Sequence, residues 1–327
     1  MRMRHAGWRT RDAGWRDADA VHGPFTRTRS NRGMGRTRLV LAGAVVAVSG
    51  LVVGGRMLLV RQAAIARRRI GKPLGEESLD ADRVWRRSFE GEPIELLLLG
   101  DSLAAGLGAA KRKETLGGRL AKGLGRRMHR AVRLRTLAIV GSESPDLDAQ
   151  LDALPREARI HVAVIVVGGN DVTHRLPVSV SATHLHAAIG RLRERGAEVV
   201  VGTCPDLGAL RAVPQPLRRL ASSMSRRLAA SQSETARQAG AEPVDLRRAV
   251  GPLFFDEPEA MFSMDRFHPS PLGYRRTAEA LLPAVCRAAE SALSSPRQPK
   301  PRQPKPRQPE PRQPEPRQTE PRQTGQR

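Results

Sequence analysis

The stretch 94–103 reads Ile-Glu-Leu-Leu-Leu-Leu-Gly-Asp-Ser-Leu, and it decides how the chain folds. A run of apolar residues stops at Gly100, and Asp101 and Ser102 follow at once. This pattern is typical of a buried parallel strand that delivers a reactive side chain to the carboxyl edge of a sheet, where open α/β folds place their sites. Glycine permits the sharp turn, and a helix that begins at Ser102 favours negative charge at its start. Taken alone, Ser102 fits equally well as a residue that caps a helix.

Outward from this stretch, the chain alternates between apolar runs and amphipathic segments. Charge-poor apolar runs predict further strands at 132–140, 162–167, 199–201 and 243–246. Amphipathic segments bounded by Gly or Pro predict helices at 116–128, 147–154, 178–195, 217–239 and 272–293. Such alternation indicates one parallel sheet that is covered by helices on both faces. We therefore expect an α/β fold with five strands in a single domain.

The strong positive charge of the chain is concentrated at its two ends. The whole sequence carries a formal net charge of +23. Residues 1–72 hold 16 Lys and Arg against 3 acids, and residues 296–327 hold 9 against 3. The remaining 31 basic and 27 acidic residues leave only +4 for the middle of the chain. A basic groove in the folded domain is therefore not indicated, and we expect no specific nucleic-acid partner.

An apolar segment near the N-terminus predicts a membrane anchor. Residues 39–55 carry no charge, and 57–60 extend the run past Arg56, which reaches the lower limit for a bilayer span. A cleaved signal peptide and a surface helix are the alternatives. We expect a protein anchored in the cell membrane, with the side of the folded domain undetermined because arginines flank both ends of the segment; the alternative is a secreted protein.

The chain is accordingly divided into five parts. We predict a disordered basic N-terminus (1–38), a transmembrane anchor (39–60), a connector (61–92), a folded domain (93–294) and a disordered Pro/Arg/Gln-rich tail (295–327). The tail repeats Pro-Arg-Gln about every five residues, which prevents helix and sheet and favours an extended arm.

Polar groups at two predicted strand ends and in a late loop complete a pattern for acyl transfer. Asn170 follows Gly168 and Gly169 at the end of the 162–167 strand, where its amide can donate to an oxyanion. The backbone N–H of Gly141, after the 132–140 strand, can approach the same oxygen. Asp265 precedes His268 by three residues, so one loop can carry both a base and the carboxylate that orients it.

In these motifs the chain resembles the SGNH-type esterases and lipases, also called GDSL hydrolases. Gly100-Asp101-Ser102-Leu103 matches the first block of that family, Gly168-Gly169-Asn170-Asp171 the third, and Asp265-x-x-His268-Pro269 the fifth, while Gly141 falls where the second block has its glycine. The resemblance covers about residues 93–290. It implies a flavodoxin-like three-layer α/β/α sandwich with a five-stranded parallel sheet, to which the sequence adds an N-terminal apolar helix and disordered ends.

The same resemblance implies roles for individual residues. Ser102 is expected to be the nucleophile, His268 the base and Asp265 its partner. The N–H groups of Ser102 and Gly141 and the Asn170 amide are expected to form the oxyanion hole. No metal and no cofactor are implied, and we expect a monomer.

The sequence leaves the substrate open. Carboxylic esters of lipids or lysophospholipids and acetyl esters are the expected substrates, and a membrane-tethered binding module without turnover is the alternative function. Four phenylalanines precede His268 and fit either an acyl groove or a core beneath a long loop: Phe254, Phe255, Phe262 and Phe267. The segment 203–208 is the other expected wall.

Overall fold

The structure is a computed structural model that describes the backbone of residues 32–294 and the side chains of residues 49–294. The chain divides into two units, residues 1–60 and residues 61–327. The predictions of disorder for 1–38 and 295–327 fall wholly or mostly outside the described residues.

The second unit is built on one sheet of six strands, ordered β1-β3-β2-β4-β5-β6. Strands β2 to β6 run parallel, and only β1 is antiparallel, paired to β3. The order of the parallel strands is that of flavodoxin-like sheets. The strands are β1 (Val84–Trp85), β2 (Ile94–Gly100), β3 (Val132–Thr136), β4 (Val162–Val166), β5 (Glu198–Gly202) and β6 (Glu242–Val244).

The expectation of a five-stranded sheet is wrong by one strand. β1 lies in the segment that was expected to be a connector, and it adds an antiparallel edge through the pairs Val84↔Arg133 and Trp85↔Val132. Two residues are too few to show the alternation of apolar and polar side chains by which a strand is recognised in a sequence.

Helices cover both faces of the sheet because successive strand residues point to opposite sides. In β2, Leu96 and Leu98 pack with one buried cluster, whereas Leu97 and Leu99 belong to the other. The first cluster includes side chains of α3 (Leu116–Met128) and α11 (Pro271–Ser294), and the second includes side chains of α4 (Leu147–Asp152), α6 (Val178–Glu194) and α7 (Leu217–Gln238). The helices are α1 (Arg32–Ile70), α2 (Ser102–Ala105), α3 (Leu116–Met128), α4 (Leu147–Asp152), α5 (Gly169–His174), α6 (Val178–Glu194), α7 (Leu217–Gln238), α8 (Leu246–Ala249), α9 (Gly251–Asp256), α10 (Pro258–Met261) and α11 (Pro271–Ser294).

The five predicted helices are confirmed to within about two residues at each end. Their amphipathic pattern makes this possible, because buried residues recur with helical spacing, as Leu116, Leu120 and Leu124 do in α3. The four short helices α5, α8, α9 and α10 were not predicted, since a helix of four to six residues is too short to show a period.

The predicted membrane span, residues 39–60, falls within α1 and is only partly described at the level of side chains. Among the described residues, no helix is both long and apolar enough to cross a bilayer. Residues 39–48 of the predicted span lie outside the described side chains.

The end of α1 belongs to the folded unit, which the predicted connector did not anticipate. The side chain of Gln62 is buried, and its amide donates to the carbonyl of Gln215 and accepts from the N–H of Leu217 at 2.9 Å. Ala66 packs with Leu207 and Leu210 in a third apolar cluster. The helix therefore holds the loop that follows β5.

We predict that Gln62→Leu destabilises the second unit, because the replacement keeps an apolar contact but leaves the Gln215 carbonyl and the Leu217 N–H unpaired. The loss of each such partly buried hydrogen bond costs about 0.5–1.5 kcal/mol. Unfolding of the full chain in urea, followed by circular dichroism, measures the loss. Arg68→Ala, at an exposed position on the same helix, is the control. A Gln62→Leu midpoint equal to that of the wild type would contradict the assigned bonds.

Candidate active site

The site begins at the close approach of two strand ends. Gly100 has φ +130°, and a Cβ built on it would lie 1.8 Å from the carbonyl oxygen of Val166 in β4. Only glycine fits both that backbone angle and that distance. The N–H of Asp101 then donates to the same carbonyl at 3.1 Å. The end of β2 is thereby fixed against β4, and α2 starts from a defined position at Ser102.

The carboxylate of Asp101 ties this turn together. One of its oxygens accepts from the Leu103 N–H at 2.9 Å. The other accepts from Gly168 N–H at 3.2 Å and Gly169 N–H at 3.3 Å. The net pKa of Asp101 is raised to about 6, because the effect of burial outweighs the lowering by these N–H groups and by the charge of His268. Asp101 was singled out only as part of a motif, and the structure gives it a positioning role.

Three predicted residues form one hydrogen-bonded chain. His268 Nε2 lies 2.9 Å from Ser102 Oγ, and His268 Nδ1 lies 2.5 Å from Asp265 Oδ2. The second carboxylate oxygen of Asp265 accepts from the N–H groups of Phe267 and His268, each at 3.0 Å. Asp265 is therefore buried with both oxygens occupied, and the imidazole is held between a carboxylate and a hydroxyl.

The ionisation of Asp265 sets the tautomer of His268. Burial raises the pKa of Asp265, but hydrogen bonds from the His268 ring and from the Phe267 and His268 N–H groups, with the His268 charge, bring the net pKa below its ordinary value. A carboxylate can only accept, so Nδ1 of the imidazole carries the proton. Nε2 of the neutral ring is then a lone-pair acceptor that faces the Ser102 hydroxyl.

The two further predicted residues, Gly141 and Asn170, are brought to the same edge of the sheet. The chain after β3 continues along β2, because Ile139 N–H donates to the Gly100 carbonyl at 3.1 Å. Gly141 follows in an exposed turn with φ +90°. The Asn170 amide donates to the Ser142 carbonyl at 2.9 Å. This contact uses one of the two amide hydrogens, so a second donor remains.

Sequence reasoning missed the side chains that hold this edge. Gln150 accepts from the Gly100 N–H at 2.9 Å and donates both to the Gly100 carbonyl at 2.8 Å and to Ser142 Oγ at 3.1 Å. Asp171 accepts from the N–H and the hydroxyl of Ser144 at 2.9 and 2.5 Å. Gln150 lies on a helix face that reads as amphipathic, and nothing in its neighbours marks it as polar and buried. Asp171 stood in a matched motif but had no assigned role.

A cavity of about 70 Å³ opens beside Ser102 and His268. Three of the four phenylalanines line it, namely Phe254, Phe262 and Phe267, and the rings of Phe254 and Phe262 pack edge to face at 4.9 Å. Phe255 is 40% exposed and lies outside this cavity. The opposite wall is formed by Pro205, Asp206, Leu207, Ala209 and Leu210. The same three rings also pack against the buried clusters, so they serve both as cavity wall and as core beneath the loop.

The sequence is similar to those of known hydrolases. The sequence profile of the GDSL-like Lipase/Acylhydrolase family matches residues 98–276. The GDSL-like esterase Rv1075c of Mycobacterium tuberculosis is 40% identical over 273 residues, which is 79% of this chain and 85% of that protein.

Solved structures give more distant similarities. Axe2, an acetylxylan esterase from Geobacillus stearothermophilus, is 18% identical with a TM-score of 0.48, and the match covers 60% of this chain and 95% of that one. A putative SGNH hydrolase from Slackia heliotrinireducens is 21% identical with a TM-score of 0.45, covering 59% of this chain and 99% of that one.

We predict that Asp265→Asn slows covalent labelling of Ser102 by a fluorophosphonate by about 10²–10⁴-fold, because the imidazole loses the charge and the tautomer that make it a base. Timed labelling read on a gel measures the rate.

The depressed pKa of Asp265 also means that its ionised form stabilises the fold at all pH values above the ordinary carboxyl range. That contribution is lost as the pH falls through the folded pKa.

The same variant should therefore unfold at a lower urea concentration than the wild type at pH 7, and the difference should shrink in acid. A labelling rate equal to that of the wild type would mean that Asp265 is not the partner of the base.

Proposed function

The chain belongs to the GDSL-like lipase/acylhydrolase family and hydrolyses ester bonds, and we propose that it does so as a serine esterase through an acyl-enzyme intermediate. The observation that carries the proposal is the hydrogen-bonded chain from Ser102 Oγ to His268 Nε2 and from His268 Nδ1 to Asp265. A hydroxyl, a neutral imidazole and a buried carboxylate in this order are the parts of an activated nucleophile.

In the proposed mechanism, Ser102 Oγ attacks the ester carbonyl while its proton passes to His268 Nε2. The Asp265 carboxylate stabilises the imidazolium that results. The N–H groups of Ser102 and Gly141 and the free amide hydrogen of Asn170 bind the oxyanion of the tetrahedral intermediate. The intermediate collapses, His268 gives its proton to the leaving alcohol, and the acyl group stays on Ser102. Water then attacks the acyl carbonyl while its proton passes to His268. The bond from the acyl carbon to Ser102 Oγ breaks, the acid leaves, and His268 returns the proton to Ser102 Oγ.

We propose that the acyl group is short. The cavity beside Ser102 has room for only a few water-sized groups and is walled by aromatic and aliphatic side chains, which suits an acetyl or propionyl group and not a fatty acyl chain. Acetyl esters are thus favoured over lipid and lysophospholipid esters with long acyl chains. The alternative of a binding module without turnover has no observation in its favour, because all three members of the triad are hydrogen-bonded in sequence.

We predict that, across p-nitrophenyl esters from acetate to palmitate, kcat/KM is highest for acetate and falls steeply beyond butyrate. Ser102→Ala should abolish both turnover and fluorophosphonate labelling, since no other hydroxyl contacts His268 Nε2 in the described part of the chain. Continuous release of nitrophenolate gives the rates. Persistent labelling in Ser102→Ala would show that another serine is the nucleophile. A maximum at palmitate would overturn the short acyl pocket and leave the serine mechanism intact.

We further propose that the segment 39–60 anchors the enzyme in the cell membrane. The support is its apolar sequence and the exposure of several large apolar side chains in its described part. Leu51 is 77% exposed, Met57 68% and Val52 64%. Burial of apolar surface in lipid is favourable by about 25 cal/mol per Å².

We predict that the full chain sediments with membranes, remains there in high salt and is released by detergent. Salt screens charge but does not weaken apolar burial, so resistance to salt separates an anchor from a charged surface helix. Immunoblots of membrane, salt-wash and detergent fractions provide the measurement. Release by salt alone would contradict the anchor. Recovery of a shortened chain from the culture medium would instead support the secreted alternative.

A further inference from the structure

We infer that a second cavity, beside the catalytic one, binds a phosphate-like or carboxylate group carried by the ester substrate. Three arginines supply the positive charge: Arg211, Arg218 and Arg219. The inference rests on the proposed function, because it names a substrate class for the same site. It goes beyond that proposal because the residues that would bind the anionic group belong neither to the triad nor to the oxyanion hole.

The second cavity is more open to solvent and is lined largely by charged and polar side chains, whereas the first is lined mostly by apolar ones. Its volume is about 450 Å³, against about 70 Å³ beside Ser102. We call it the basic cavity; its walls are Gly208, Ala209, Arg211, Gln215, Arg218, Arg219, Ser222 and Phe255. A concave site of this size can hold a small charged group such as phosphate or carboxylate. The hydroxyl of Ser222 and the side-chain amide of Gln215 lie in the same wall as the guanidinium groups.

The three arginines have no acidic partner within the described residues, unlike many arginines elsewhere in this domain. Arg191 pairs with Asp148 and Asp152, and Arg287 pairs with Glu242. Arg211 instead donates to the carbonyl of Phe255 at 3.0 Å, which fixes one side of its guanidinium and leaves the other donors unused. Arginine binds carboxylate and phosphate groups through two parallel N–H bonds, so unused guanidinium groups around one cavity favour an oxyanion ligand.

The position of two of these arginines adds to the argument. Arg218 and Arg219 lie in the first turn of α7, a helix of 22 residues with no acidic residue in that turn. The start of a helix carries partial positive charge, so cations there are disfavoured. An anion in the basic cavity would offset both charges at once.

The basic cavity shares a wall with the catalytic one. Ala209 lines both cavities, and the adjacent residues Phe254 and Phe255 line one each. The shared wall is the 3₁₀ turn Leu207–Ala209, which packs tightly on α7, because a Cβ on Gly208 would lie 2.8 Å from Ser222 Cβ. The two cavities therefore lie on either side of this turn. An ester that carries its anionic group on the alcohol side, a few bonds beyond the ester oxygen, is the substrate expected to occupy both.

A matched pair of acetyl esters tests the inference on the full chain. 2-Acetoxyethyl phosphate and 2-acetoxyethanol differ only in the phosphate group, and acetate release gives kcat/KM for each. We expect the wild type to prefer the phosphate ester, and the double variant Arg218→Gln/Arg219→Gln to lower that preference at least about tenfold, mainly through KM. Arg226→Gln/Arg227→Gln removes the same charge from exposed positions farther along α7 and should leave the preference unchanged.

Binding of inorganic phosphate, followed by calorimetry, separates failure of this inference from failure of the proposed function. Phosphate should bind the wild type and the Arg226/Arg227 control, and not the Arg218/Arg219 variant, even in a Ser102→Ala background without turnover. If neither ester is hydrolysed but this binding pattern is found, the anion site stands and the esterase proposal fails. If the neutral ester is hydrolysed and both arginine variants keep the wild-type preference, the inference is overturned. Absence of phosphate binding to the wild type overturns it as well.

Discussion

The arrangement of the active site depends on one buried carboxylate, that of Asp101. It joins the turn between β2 and α2, where it accepts from the Leu103 N–H, to the glycines that follow β4, which lie 67 and 68 residues away in sequence. Without these bonds, the N–H groups of Gly168 and Gly169 would lose their acceptor in a buried place. The glycine pair leads directly to Asn170, so the carboxylate that positions Ser102 also positions the side chain proposed to bind the oxyanion.

The energetic cost of this carboxylate is visible in its ionisation. Its pKa of about 6 lies above the 3.8 of an ordinary aspartate because burial outweighs the N–H donors. Between those two values the folded protein holds a proton that the unfolded chain has released. Stability contributed by this group therefore falls as the pH rises from about 4 to 6, and above that range the charge is held at a cost. Such a cost is common where a site requires a fixed geometry.

A second group of polar side chains extends this control to the other side of Ser102. Gln150 contacts both backbone groups of Gly100 and the hydroxyl of Ser142, while the Ser142 carbonyl accepts from Asn170. These contacts link the nucleophile turn to the turn that contains Gly141. A polar network of this kind rigidifies a site when every member has a partner, and the loss of one member leaves others unpaired.

The features that could be predicted from the sequence are those that a few neighbouring residues encode. Ser102 follows a strand that ends at a glycine, and Asp265 and His268 are three residues apart, so each could be identified within a few residues of chain. Gln150 and Gln62 could not, because their partners lie 50 and 153 residues away and both sit on helices that look ordinary. The short strand β1 was missed for a different reason: two residues are too few to show the alternation of apolar and polar side chains that identifies a strand.

The triad itself combines these two kinds of information. Asp265 and His268 are brought together by a tight turn in which Arg266 has φ +57°, so the base and its carboxylate form a unit before the rest of the site is considered. Ser102 is 166 residues away, and its distance to His268 depends on how the late loop packs on the nucleophile turn. Gly108 allows that packing, because a Cβ there would lie 2.8 Å from the Pro269 carbonyl oxygen. The buried hydroxyl of Tyr274, which donates to the Leu107 carbonyl at 2.7 Å, fixes the same approach from α11. The chemistry at Ser102 thus rests on a local pair and on a long-range contact, and only the second requires the whole fold.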